Sequence, residues 1–154
     1  MRTGALDRSQ LLAAAEVLAA ACPYDRAAAV ADEKLFGAGP PGPPRAFGAW
    51  DGDALVGVAA VAADRLRVLA VAPGARGRGI GGALLEACVT AARDAGERRL
   101  RTLDQPGNYL APGIDERNAA AIAWLERRGF RRPAGAAPRV NLLIDVRDNP
   151  RVSP

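Results

Sequence analysis

Residues 76–81 read Arg-Gly-Arg-Gly-Ile-Gly, inside a stretch (72–87) that holds five glycines and two arginines before it turns apolar. An apolar strand-like run, Arg65 to Ala72, enters this stretch and an amphipathic helical run leaves it. The first-turn amides of a helix have no internal partners, and the aligned peptide dipoles place partial positive charge there. Both features favour an anion, most commonly phosphate. Gly77, Gly79 and Gly81 lack a Cβ, so oxygens can approach the main chain, and Arg76 and Arg78 add charge-assisted donors. The stretch lacks the GK[ST] ending of a P-loop. The glycine spacing also fails the dinucleotide fingerprint.

The surrounding chain must position that turn. Residues 2–6 are expected as a short first strand. Ser9 is the expected cap of a helix running to Ala21, broken by Pro23, and Asp25 the cap of a second helix to Phe36. Residues 37–44, GAGPPGPP, form a stiff loop of the kind that borders a cleft. The flanks of Asp51-Gly52-Asp53 read as a hairpin, followed by a third strand over 65–72. A helix is expected over 79–95, stopped by Gly96, then a strand over 98–104 parallel to 65–72 because a helix joins them. Residues 105–113 are a shaped Pro/Gly loop. Asp115 is the expected cap of a helix through Arg128, ended by Gly129, and two closing strands follow in 129–133 and 139–147. The expected fold is a single α/β domain over 1–154, in the order (β)ααβββαβαββ, with a mixed central sheet of six to seven strands and helices on both faces.

Composition narrows the chemistry. The 154 residues contain no histidine, which excludes a histidine base, ligand or triad. The net charge of +4 is mild, the arginines are spread over several elements, and aromatics are 5%, so a nucleic-acid partner is not expected. Cys22 and Cys88 lack metal-ligand spacing and read as free thiols in a reducing compartment, with a disulfide as the minority reading. No metal site is expected. No apolar run approaches the ~20 residues of a membrane span, and Glu16 interrupts the one segment that resembles a leader. The expected location is cytoplasmic.

Two stretches together carry a family resemblance. Arg76-Gly77-Arg78-Gly79-Ile80-Gly81, preceded by LAVAP, fits [Q/R]-x-x-G-x-[G/A]. ERNAAAIAWLERRGF, 116–130, fits an N-x-x-A helix followed by GF. The chain resembles the GNAT superfamily of Gcn5-related N-acetyltransferases over roughly residues 45–146. The resemblance implies a three-layer fold and direct transfer of an acetyl group from acetyl-CoA, as cosubstrate, to a primary amine of a small molecule or peptide through a ternary complex. It implies that the backbone of Leu69, Ala70 and Val71 pairs with the pantetheine arm. Arg76, Gly77, Arg78, Gly79, Ile80 and Gly81 would hold the pyrophosphate, and Asn118 would contact the cofactor. The alternative for Asn118 is a helix-start hydrogen bond.

The family's frequent tyrosine acid falls at Leu125 and its occasional glutamate at Arg65. Asp104 and Tyr109 are left as catalytic candidates. Those departures leave a second reading open, a non-catalytic acyl-CoA-binding sensor or scaffold. Homodimers are common in families of this kind.

Overall fold

The structure is a computed structural model that describes residues 1–102 and 114–131. Its sheet follows sequence order, β1 (Arg2–Ala5), β2 (Arg45–Asp51), β3 (Ala54–Ala62), β4 (Arg65–Val71) and β5 (Arg101–Thr102). The first four are antiparallel, and β5 runs parallel to β4, as a helical crossover requires. The β2–β3 hairpin turns at Gly52, whose φ of 59° is the positive value that Asp-Gly was expected to supply. Five strands lie within the described residues; of the closing strands expected over 129–133 and 139–147, only 129–131 are described, and these are not strand.

Helices cover both faces. On one, α1 (Leu11–Ala21) and α2 (Ala31–Phe36) bury Leu18 and Leu35 against Val58, Val68 and Ala70 of the sheet. On the other, α3 (Ile80–Asp94) buries Ile80, Leu84 and Cys88, an i, i+4, i+8 stripe, against Ala59, Val61 and Leu66. A Cβ on Gly57 would lie 2.9 Å from Leu84 Cδ1 and 3.1 Å from Ile80 Cγ2, so a glycine there lets α3 seat directly on β3. The helix stops as expected: Gly96 takes φ 82°, and the Gly96 and Glu97 amides donate back to Arg93 and Ala92. A short fourth helix, α4 (Ala119–Glu126), lays Trp124 against the α3 layer.

Three expected caps are corrected. Asp7, not Ser9, opens the first helix: its carboxylate accepts from the Ser9 amide at 2.8 Å, starting a 3-10 turn over Arg8–Gln10 that runs into α1. The carboxylate is one residue pair further out because the chain winds tightly before it relaxes into α-geometry. Asp25 does not cap α2; a 3-10 turn over Ala27–Val30 intervenes. Asp115 bonds the Arg117 amide at 2.9 Å in a local turn, and α4 begins only at Ala119, ending at Glu126 rather than Arg128.

One buried charge organises the α1/α2 face. The β3–β4 register pairs Ala60 with Val68 and Val61 with Leu66, skipping Arg67. This bulge turns Arg67 into the layer, where it is 3% exposed. Its Nη1 donates to the Gly37 carbonyl at 2.7 Å and its Nη2 to the Glu33 carbonyl at 2.8 Å, capping the end of α2. Among the described residues no helix is long and apolar enough to cross a membrane.

Candidate functional site

Strand β4 delivers the chain to the glycine–arginine turn. On one side β4 is bonded to β3 through to Val71, and the Ala72 amide extends that pairing to the Val56 carbonyl at 2.9 Å. On the other side, among the described residues, pairing with β5 covers only Arg65 and Leu66. Leu69, Ala70 and Val71 therefore sit on a stretch of β4 that has a ladder partner on one edge only, the geometry that an extended amide-bearing arm would complete. Residues 103–113, which hold Asp104 and Tyr109, lie outside the described residues.

After a 3-10 turn over Pro73–Ala75 the chain passes through Gly77 at φ 77° and Gly79 at φ 80°, and Gly79 is the residue from which α3 springs. Side chains other than glycine are strained at such φ values. A Cβ at either position would meet nothing within 4 Å, so this stretch of main chain is bare. The amides of Gly77, Arg78, Gly79, Ile80, Gly81 and Gly82 have no acceptor among the described residues. A row of donors converging on a helix start fits a diphosphate, which offers several anionic oxygens to bare N–H groups.

Gly81 has a different reason. A Cβ there would lie 3.1 Å from the Trp124 ring, so the third glycine makes room for α4. Trp124 in turn carries Arg128, whose guanidinium carbon lies 3.7 Å from the ring centroid and whose Nη1 donates to the Trp124 carbonyl at 3.3 Å. Arg128 also lies beside Gly82 in the first turn of α3. It has no carboxylate partner among the described residues. Sequence reasoning missed this cation, because nothing in the spacing of residues 82 and 128 signals that they meet.

Both arginines of the motif are engaged inside the protein. Arg78 bonds the Asp51 carboxylate at 2.8 Å, tying the loop to the β2–β3 hairpin. That hydrogen bond holds the Asp51 carboxyl below its usual range. Arg76 bends back: Nε donates to the Val71 carbonyl at 3.1 Å and Nη2 to the Ala21 carbonyl at 3.0 Å.

Asn118 occupies the first position before α4, yet its side chain makes no capping bond. The main chain of Asn118 takes part in the helix start, its amide donating to the Asp115 carbonyl at 2.8 Å and its carbonyl accepting from Ala121 and Ile122, while its carboxamide has no partner among the described residues. The start of α4 also meets the α1–α2 turn. Arg117 is held by both oxygens of Asp115, at 2.9 and 2.6 Å, and stacks 4.4 Å above the Tyr24 ring. The Arg117 bonds pull Asp115 down to about 2, whereas burial first, and then the Asp115 charge, push Asp25 up. Asp25 was read from sequence as a helix cap; its place opposite Asp115 and Arg117 depends on a long-range contact that spacing does not encode.

The family model described as the acetyltransferase (GNAT) domain matches residues 43–132, more than half of the chain. No curated protein matches. Among solved structures, the ribosomal-protein-S18-alanine N-acetyltransferase of Escherichia coli is 23% identical, with a TM-score of 0.61 over 84% of this chain and 77% of that one. A GNAT-family acetyltransferase of Staphylococcus aureus is 15% identical, with a TM-score of 0.65 over 94% of this chain and 92% of the other. AAC(6')-Iy, solved in complex with the bisubstrate analogue CoA-S-monomethyl-acetylneamine, is 15% identical, with a TM-score of 0.63 over 92% and 98% of the two chains. At such identities the likeness speaks for the fold.

Proposed function

The chain belongs to the GNAT acetyltransferase family, and from that premise we propose that it moves an acetyl group from acetyl-CoA directly to a primary amine within a ternary complex. The row of amides from Gly77 to Gly82, without an acceptor among the described residues at the exit of β4, is the observation that carries this reading. Those amides receive the pyrophosphate. Leu69, Ala70 and Val71 offer a half-paired strand edge to the pantetheine arm. The Asn118 carboxamide, without a partner among the described residues, and the Arg128 guanidinium supply further donors on the α4 side.

The chemistry needs no protein nucleophile. The neutral amine attacks the thioester carbonyl carbon, and a main-chain N–H near Val71 meets the oxyanion. The C–S bond then breaks as the carbonyl re-forms. The amine sheds its proton and the departing thiolate gains one. With a reference thiol pKa of about 8.5, that thiolate leaves acceptably even without a strong acid. Asp104 and Tyr109 are the proposed proton carriers. Asp25 adds a carboxylate on the α1–α2 turn that can attract an ammonium acceptor.

The acceptor is a primary amine on a small molecule or a peptide, a class that includes both a protein's terminal alanine and an aminoglycoside. Function in the cytoplasm, where acetyl-CoA is made and used, fits a chain with two unpaired cysteines. Calorimetry with coenzyme A, followed by thiol release from acetyl-CoA across a panel of amines, tests the proposal. Saturable binding with turnover on at least one amine is expected. Binding without turnover on any amine would favour the sensor reading, and no binding would end both.

A further inference from the structure

Arg76 was expected to spend its charge on the cofactor, yet its side chain joins two other parts of the protein. The Ala21 carbonyl closes α1 and, like the last carbonyls of any helix, needs a donor from elsewhere. Ala21 is 6% exposed, so bulk water is a poor substitute. Arg76 Nη2 supplies that donor at 3.0 Å, while Nε bonds the Val71 carbonyl at 3.1 Å, where β4 ends. One planar group thus spans from the cofactor-side strand to the α1–α2 turn. That turn is gripped a second time from the start of α4, where Arg117 stacks on Tyr24 beside Asp115. The residues from Cys22 to Asp25 therefore lie between two arginine contacts, one from the loop after β4 and one from the start of α4.

We propose that Arg76 is a positioning residue: its guanidinium registers the α1–α2 turn, the acceptor-side wall, on the strand end and loop that receive coenzyme A, so that occupancy of the loop is transmitted to that wall. This rests on the cofactor reading above. Main-chain contacts made by residues 77–82 fix the loop, the Arg76 backbone moves with it, and the two carbonyl bonds carry the restraint to Ala21. In this arrangement the side chain contributes to acceptor binding more than to the affinity for coenzyme A itself.

The test compares wild type, Arg76→Ala, Arg76→Gln and Arg76→Lys by amide hydrogen exchange, with and without coenzyme A, together with calorimetry. Loss of two charge-assisted bonds should speed exchange of residues 19–26 by about tenfold in unliganded Arg76→Ala and Arg76→Gln. Lysine, with its charge but a single point of donation, should recover part of the protection. In wild type, coenzyme A should slow exchange both in the loop and in residues 19–26. In Arg76→Ala it should slow exchange in the loop alone, with affinity changed less than fivefold or so, in line with the loop amides making the main contacts. Once an acceptor is in hand, the variants should raise its KM more than they lower kcat.

Coenzyme A protection of residues 19–26 that survives in Arg76→Ala would overturn the proposal. So would a large loss of coenzyme A affinity with unchanged exchange in that turn, since the side chain would then be a phosphate ligand. Failure of wild type to bind coenzyme A would instead defeat the cofactor reading and the transmission with it. Exchange in the unliganded variants would still decide whether the clasp exists.

Discussion

Helix ends on the two faces of the sheet are treated in opposite ways. On the α1/α2 face, β4 sends out arginines to satisfy them: Arg67 reaches the Glu33 and Gly37 carbonyls at the end of α2, and the Arg76 side chain, just past the strand, reaches Ala21 at the end of α1. On the other face the start of α3 is left with a row of amides and no partner among the described residues. The exposed donors of Gly77, Arg78 and Gly79 cost little, because water serves them, whereas buried carbonyls must be answered by the protein. The satisfied ends hold the layers in register, and the start of α3 is the end proposed above to take the cofactor.

The largest effect should come from the satisfied side. Arg67→Ala removes two donors from buried carbonyls and opens a void behind the bulge, and should lower stability by roughly 3 kcal/mol or more, read by urea denaturation. An unchanged midpoint would mean that the capping is decorative. The unsatisfied side should respond differently. Gly79→Ala places a Cβ in open space at φ 80°, so it should cost only about 1 kcal/mol of stability. Calorimetry should nonetheless show coenzyme A affinity falling by tenfold or more, because the new methyl stands among the donors. A loss of fold comparable to that of Arg67→Ala would blur the distinction between the two faces.

A smaller effect concerns acid. Asp115 titrates near 2 when folded, from an ordinary 3.8, so its tie to Arg117 is fully present above pH 4 and weakens as pH falls toward 2. Asp115→Asn should remove part of the stability loss over that interval while leaving the curve above pH 5 nearly parallel to wild type, measured by circular dichroism across a pH series. At the alkaline end, burial holds the Cys88 thiol up at about 12 against an ordinary 9.0. The unfolded chain gives up that proton first, so stability should fall as pH rises beyond 9, and Cys88→Ala should flatten that fall.

Much of this organisation was legible in the sequence, for reasons that differ by element. The hairpin at Gly52, the bare loop at Gly77 and Gly79, and the stop at Gly96 were readable because each depends on a local backbone demand that few residues other than glycine meet. The stripe of α3 was readable because its period matches the helix. The caps were less so: Asp7, Ser9, Asp25 and Asp115 are all competent by type, and the choice among them turns on 3-10 turns that carry no distinct signature. The partners of Arg67, Arg76 and Arg128 were not readable at all. Each contact joins elements that are remote in sequence, and the bulge that aims Arg67 inward follows from pairing register rather than residue type. Gly81 is the instructive mixed case, since its identity was predicted to matter but its neighbour turned out to be an indole.

That indole has a practical consequence. The chain has two tryptophans. Trp50 is 3% exposed in the α1/α2 layer, with Arg2 over its ring, whereas Trp124 lies against the first turn of α3 beneath Arg128. A phosphate arriving at that turn would draw Arg128 off the ring and alter its emission, while Trp50 stayed constant. Tryptophan emission should then shift on titration with coenzyme A, and unchanged emission at saturation would count against that movement.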